Sequence, residues 1–327
     1  MKTCISLLTL ILYCSNLVAE EKAVSVKKED VESKQIPSPV DSELKKEEPK
    51  AEKTIDTKEV EAEAGLEKDT ILDLSTAKSY SLKGKFYVIW GWNQSYYTDS
   101  NIHFKGDDYD FTLYRVDAYD RQSKFNAGLY FGPETLTIPQ YNFKLGYYFT
   151  DRLSLNLSFD HMKYVMQKNQ TAKLKGKIAN SGTSYDGEYD EENFLVAPDF
   201  LKFEHTDGLN YLNVEVTYLT NLLAAKKSFV GEFDINIING ASIGLMVPRS
   251  NVTLLGNERH DEWNVAGAAA SFKGATQFLF AKSFFIQPEL EAGYINMWNV
   301  RTTKNKSDGA SQEFFFTQAE ILFGFMF

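Results

Sequence analysis

The sequence predicts an all-β chain, an antiparallel up-and-down transmembrane β-barrel of about eight strands behind a disordered amino-terminal linker. Three observations carry this. From Gly84 onward, segments of ten or more residues alternate apolar with polar side chains, the period of a wall that meets two different surroundings. No apolar run reaches the roughly 18 residues that a membrane-crossing helix needs. The connections between the segments alternate short and long, as they do in membrane barrels. Mean hydropathy is mildly negative at -0.34, which fits a wall whose every second residue faces lipid.

The chain opens on the short basic stretch Met1 to Thr3, then an apolar run from Cys4 to Cys14, then Ala19 before Glu20 and Glu21. That is the pattern of a secretory signal peptide over 1–19, cleaved after Ala19. A lipoprotein signal with Cys14 as the lipidated residue is the rival reading, and Tyr13 stands where such sites take a small residue. Both cysteines lie in this leader, so the mature chain has no thiol chemistry. Residues 20–80 are built from Glu, Lys, Ala, Val, Ser, Thr and Asp, with no aromatic between Tyr13 and Tyr80. The whole chain holds 24 Phe, 18 Tyr and 4 Trp, so the deficit is local. Such a segment cannot bury enough surface to offset the entropy of ordering, and it is expected to be a disordered acidic and Lys-rich periplasmic linker. A solvated spacer and a tether that touches peptidoglycan or a periplasmic partner are both compatible with it.

Eight long strands follow within the barrel domain, 81–327. Over 85–98, Phe86, Val88, Trp90 and Trp92 share one face. Over 138–149, Tyr141, Phe143, Leu145 and Tyr147 oppose Asn142, Lys144 and Gly146. After the turn at Asp151, Leu153, Leu155, Leu157 and Phe159 alternate with Ser154, Asn156, Ser158 and Asp160 in 153–166. The fourth, 208–219, sets Leu212, Val214, Val216 and Tyr218 against Asn213, Glu215 and Thr217. The fifth, 229–247, sets Phe233, Ile235 and Ile237 against Glu232, Asp234 and Asn236. The sixth, 263–281, carries Phe272, Phe278 and Phe280 against Ser271, Lys273 and Gln277. The seventh, 284–298, sets Ile286, Leu290, Ala292 and Tyr294 against Gln287, Glu289 and Glu291.

The eighth runs from Phe314 to Phe327. Phe315, Ile321, Phe323, Phe325 and Phe327 share one face, with Gln318, Glu320, Gly324 and Met326 on the other. So apolar an edge invites aggregation in water, whereas lipid wets it and barrel closure removes it. The terminal Phe327 resembles the carboxy-terminal signature of bacterial outer-membrane barrels, which implies the barrel-assembly machinery as a partner. Short connections after the second, fourth and sixth strands place both barrel ends on the periplasmic side. A soluble barrel would turn its apolar face inward. Here the other face carries Lys144, Asp160, Glu215, Glu232, Asp234, Lys273, Glu289, Glu291 and Glu320, a set that fits a small, paired and hydrated lumen. Trp92, Trp263 and Trp298 fall near the loop-side strand ends, as an outer aromatic girdle requires.

The stretches Asn101 to Tyr114, Ile138 to Phe143, Phe159 to Val165 and Phe203 to Tyr211 are less generic than the strands. Together they resemble a family of uncharacterised outer-membrane β-barrel proteins of diderm bacteria, spirochaetes among them, over about 85–218. The resemblance implies fold and outer-membrane location; it carries no established activity, so no catalytic residue transfers.

All four histidines, His103, His161, His205 and His260, fall in or beside the outer-end loops. Carboxylates accompany them: Asp107, Asp108 and Asp110; Asp160; Glu204 and Asp207; Asp261 and Glu262. Imidazole with carboxylate is material for a general base or an oriented metal ligand. His161, Asp160, His205 and Asp207 are the catalytic candidates, His103 and Asp110 the ligand-binding ones, and His103, His161 and His205 the metal candidates. The expectation is that these three imidazoles converge at the outer mouth with Asp110, Asp160 and Asp207, either as one site or as a hydrogen-bonded lid. Loop histidines of this kind also serve simply as hydrogen bonders. No fixed-spacing ligand motif, P-loop, dinucleotide fingerprint or nucleophile elbow occurs, and no cofactor is implied.

Net charge of -10 argues against nucleic acid. Lys168, Lys173, Lys175 and Lys177 make a basic stretch that could meet anionic lipopolysaccharide, which with outer-membrane lipid is an expected partner. Three function classes remain: a structural or surface-binding barrel, an outer-leaflet lipid hydrolase similar to the lipid A acyl hydrolases with His161 beside Asp160, and a narrow solute pore. A barrel this small holds side chains rather than a channel, so the pore ranks last.

Overall fold

The structure, a computed structural model, describes residues 81–223, 233–257 and 262–327. The leader, the linker, Glu232, His260 and Asp261 lie outside them. The strands are β1 (Phe86–Tyr97), β2 (Ser100–Lys105), β3 (Tyr109–Val116), β4 (Ala118–Tyr119), β5 (Tyr141–Tyr148), β6 (Leu153–Met166), β7 (Gln170–Ile178), β8 (Gly187–Val196), β9 (Leu201–Asn221), β10 (Phe233–Met246), β11 (Asn251–Leu254), β12 (Gly267–Phe280), β13 (Phe284–Arg301) and β14 (Gly309–Met326), with one short helix, α1 (Ala127–Phe131).

Eight strands form a ring in the order β1-β5-β6-β9-β10-β12-β13-β14, and β14 pairs back onto β1 from Met326↔Tyr87 to Phe316↔Tyr97. All neighbours are antiparallel, so the ring is an up-and-down barrel with no free edge over this height. Closure reaches the last residue: Phe86 and Phe327 exchange two backbone hydrogen bonds of 3.1 and 2.9 Å. At the same end Asp151, in the β5–β6 turn, accepts from Ser81 Oγ and from the amides of Leu82 and Lys83. Those bonds hold its carboxyl below the usual range and pin the start of the barrel domain to the wall.

The alternation places side chains as charge and apolarity dictate. Leu145, Leu155, Leu157, Val214, Val216, Phe272, Leu290, Ile321 and Phe325 are exposed on the outside, with Phe272 at 76%. Lys144, Asn156, Asp160, Glu215, Lys273, Glu289, Glu291 and Glu320 are buried inside. This is the inverse of a water-soluble protein. The end that carries Phe86 and Phe327 is closed by an apolar plug of Leu82, Tyr87, Ile89, Tyr148, Leu279, Phe285 and Met326. Gly324 lets it pack: the Phe285 ring lies where a β-carbon at that position would stand.

The ring strands match the sequence reading closely, but the long loops do not remain loops. β2, β3, β7 and β8 continue the sheet from the upper end of β14, through Ser311↔His103, Phe104↔Phe111, Leu113↔Leu174 and Lys175↔Asp190. β9 reaches back to Leu201 and there takes β11 as a partner. These elements enclose a second core, in which Ile102, Phe104, Phe111, Leu113, Tyr164, Leu174, Phe200, Phe203, Val252 and Phe314 are all at most 2% exposed. The alternation Ile102/Phe104 and Phe111/Leu113 is a strand pattern; the intervening Asp107 and Asp108 sit at its hairpin.

Candidate functional site

Two groups of chemistry-bearing residues stand out, one in the lumen and one in the β-extension. In the lumen, two lysines serve four glutamates. Lys144 donates to Glu289 at 2.6 Å and lies 3.6 Å from Glu215 and 3.8 Å from Glu320. Lys273 Nζ stands 2.6 Å from Glu215, out of line for a hydrogen bond, with Glu291 at 3.3 Å and Glu289 at 3.4 Å. β5, β9, β12, β13 and β14 each contribute, so the cluster ties five wall strands together. The carboxylates of Glu289, Glu291 and Glu320 approach within 4.8 Å of one another, the spacing of a metal set. Each of the three already faces an ammonium group, so the lysines supply the positive charge in that space.

Above the cluster lies an amide cage. Asn142 and Asn213 donate to the two Asp160 oxygens at 2.6 and 2.9 Å, Asn93 donates to Asn142 at 2.7 Å, and Gln140 donates to Asn93 and to Asp120 at 3.1 Å each. Below it, the residual cavity between Tyr87, Asn156, Glu215 and Gln287 measures about 10 Å³. That is room for at most one water.

The three described histidines do not share a site. His103 lies on the exposed face of the β2–β3 hairpin, its Nε2 2.8 Å from Asp110. His161 follows Asp160 on β6 and therefore points to the opposite side of the wall; its ring stacks on Tyr141, and Nδ1 pairs with Asn210 Oδ1 at 2.8 Å. His205 is fully buried between Tyr164 and Phe203, its Nδ1 2.9 Å from Ser250 Oγ. Burial alone pushes His205 down to about 3. Among the described residues no three of these groups with Asp110, Asp160 or Asp207 come within metal-ligating distance. Asp207 is exposed while His205 is not. The expected convergence thus fails at strand parity, because Asp160 and His161 occupy opposite faces. His205 has the inward parity of Phe203, Leu209 and Tyr211 on β9, whereas His161 pairs with Asn210 on the outward one.

Two features escaped the sequence reading. A cleft of about 520 Å³ at the tip of the extension is lined by Asp107, Asp108, Asn180, Asn257, Lys304 and Asp308. The segment between β4 and β5 closes a gap in the wall: β1–β5 pairing stops at Trp92↔Tyr141, and above it Asp120 accepts from the Ser95 amide while Gln122 donates to the Asn93 carbonyl. Burial pushes the Asp120 carboxyl up to about 6. The basic stretch is partly engaged as well. Lys175 meets Asp190 and Glu191, and Lys177 meets Glu188, all within 3.5 Å across the β7–β8 hairpin.

No family model and no curated protein sequence matches the chain. Solved structures similar to it include Ail, the attachment invasion locus protein of Yersinia pestis, in complex with the heparin analogue sucrose octasulfate (10% identity, 75% of this chain and 99% of that one, TM-score 0.27). The N-terminal β-barrel domain of Pseudomonas aeruginosa OprF (9%, 76% and 100%, 0.28) and the outer membrane protein OprG of the same organism (8%, 75% and 96%, 0.32) are others. At such values the strand pairing described above, and not these likenesses, carries the fold.

Proposed function

We propose that the protein is an outer-membrane β-barrel that anchors a folded, surface-exposed β-extension, with a structural or surface-binding role. The observation that carries this reading is the reversal of burial along continuous strands. On β9, Leu212, Val214 and Val216 are exposed over a polar interior, whereas Leu201 and Phe203 are buried under an exposed Lys202. One end of the molecule is therefore built for lipid and the other for water.

The short connections and the pinned Leu82 lie at one end and the extension at the other, so the barrel ends face the periplasm and the extension faces outward. The lumen is plugged by Tyr87 and Phe285 at one end and by Phe314 and Phe316 at the other, with the charge cluster between them, which disfavours the pore. Opposite-facing Asp160 and His161 give no support to the hydrolase. The acidic and amide-lined tip cleft is where a cationic or polyhydroxylated partner would engage.

Protease added to intact cells tests this. Trypsin should cut at Lys304 or Lys306, in the exposed β13–β14 connection, and spare the lysines before Tyr80. Cleavage of the linker from outside would invert the topology and overturn the reading.

A further inference from the structure

The segment between β4 and β5 does more than cap a strand edge. Trp92 points outward on β1 and yet is only 9% exposed, because Tyr130 and Phe131 cover it with ring centroids at 5.6 and 5.1 Å. The short helix α1 therefore lies against the outer face of the barrel. It is held there by Asn126, whose side chain caps the Leu129 amide, by Tyr130 Oη donating to the Ser123 carbonyl at 2.6 Å, and by the Asp120 and Gln122 bonds to β1. Beside it runs a groove of about 480 Å³. The floor is two cross-strand pairs of the β1–β14 seam, Trp92↔Ile321 and Gln94↔Ala319. The facing wall is Gln122, Phe125 and Tyr130.

We infer that this groove holds one acyl chain of a phospholipid from the surrounding leaflet, with the amides of Gln94 and Gln122 meeting its ester carbonyls. The inference rests on the membrane reading above and deepens it. The floor is continuous with the apolar belt, since Ile321 and Phe323 belong to both the belt and the seam. The groove stands in the upper part of that belt, just below the exposed aromatics Tyr96 and Phe315: outward on β1, Trp92 gives way to Gln94, and outward on β14, Ile321 gives way to Ala319 and Thr317. That is the height at which a lipid chain meets its polar linkage. Phe125 and Phe131 are 75% and 61% exposed, and no protein element covers them among the described residues. Ala319 is the small residue that leaves the floor open, and the volume lies in the roughly 300–1,000 Å³ range of ligand sites.

The test uses tryptophan quenching by phosphatidylcholine brominated on one acyl chain. Two proteins are compared, one retaining only Trp92 and one whose single tryptophan comes from Leu157→Trp, an exposed belt position away from the β1–β14 seam, the other tryptophans being Phe in each. In detergent micelles titrated with the brominated lipid, Trp92 should be quenched in a saturable step near one lipid per protein. The Leu157→Trp reporter should be quenched only in proportion to lipid mole fraction. Ala319→Phe, which fills the floor, should remove the saturable step. Gln94→Leu, an exposed position whose substitution leaves the wall intact, should weaken it at least threefold. Heat-modifiable gel migration checks that each variant is folded. Quenching of Trp92 that merely tracks the Leu157→Trp reporter, or a saturable step unchanged in both variants, would overturn the groove. A Leu157→Trp reporter unquenched in vesicles of the brominated lipid would instead overturn the membrane reading.

Discussion

The belt and the outer extension are built from the same strands with the polarity exchanged. On β14 the inward positions run Phe314, Phe316, Gln318, Glu320, while the outward ones run Glu313, Phe315, Thr317, Ala319, Ile321. Side-chain parity never changes; what changes is which parity carries the apolar residues. On β6 the exchange occurs between Asp160 and Met162, and on β9 between Tyr211 and Leu212. Period-two alternation therefore identifies a strand in either surrounding, and only the charges on the buried side tell lipid from water. In the extension the interior is a side-chain core of the ordinary kind. In the belt the interior is held by charge pairing, and each ion taken from water costs several kcal/mol that its partners must offset.

The largest effect should come from breaking that pairing. Lys144→Met leaves Glu289, Glu320 and Glu215 facing one another with a single lysine, and should destabilise the barrel by about 3–5 kcal/mol. Lys144→Met combined with Glu289→Gln should lose less than the single change. Urea unfolding in lipid vesicles measures both. If the single variant were as stable as the parent, the cluster would not hold the ring.

The same apolar truncation in the two regions sharpens the contrast. Leu113→Ala, fully buried in the extension, should cost about 2–5 kcal/mol because it leaves a cavity. Leu157→Ala, 54% exposed on the belt, should cost less, since lipid fills the gap and only the transfer contribution is lost. Equal losses would mean that the belt is packed against something other than fluid lipid.

The ring was legible in the sequence because each wall strand carries a charged or amide face that no soluble core would bury, as in Asn142/Lys144 or Glu289/Glu291. The extension was hidden by its length. β2 and β3 are short, and Asp107, Asp108 and Asp110 around their hairpin read as solvent-exposed loop. α1 is five residues long, with Asn126 as its only local signal. His103, His161 and His205 were legible as residues at or near the extension end of the barrel and no further. Whether His161 and His205 share a face depends on the register of β6 against β9, which sets His161 opposite Asn210, and neither strand marks that register in its sequence.

Acid should act on the extension first. His205 is held neutral by burial, with a folded value of about 3 against about 6.5 unfolded. Its contribution is whole above pH 6.5 and falls by about 1.4 kcal/mol per pH unit as the pH drops from there toward 3. Urea midpoints between pH 7 and 5 should show that slope, and His205→Leu should flatten it. An unchanged slope in the variant would place the acid sensitivity elsewhere.

Asp120 should give the smallest effect and the opposite sign. Its raised folded value means that stability present below about pH 4 is lost as the pH rises through about 6. Asp120→Asn, which can still accept from Ser95 and Gln140, should be slightly more stable than the parent at pH 7.5 and equal to it near pH 4. Lower stability of the variant at pH 7.5 would show that the ionised carboxylate is needed.

On β6, β9 and β14 the outward face changes from lipid to water partway along the strand. Single spin labels at the outward β14 positions Glu313, Phe315, Thr317, Ala319, Ile321, Phe323 and Phe325, with the protein in phospholipid vesicles, test it directly. Collision with oxygen should peak at Ile321 and Phe323, while collision with a water-soluble nickel complex should be highest at Glu313 and fall steeply below Phe315. Nickel access as high at Ile321 as at Glu313 would put the whole strand in water and overturn the membrane assignment.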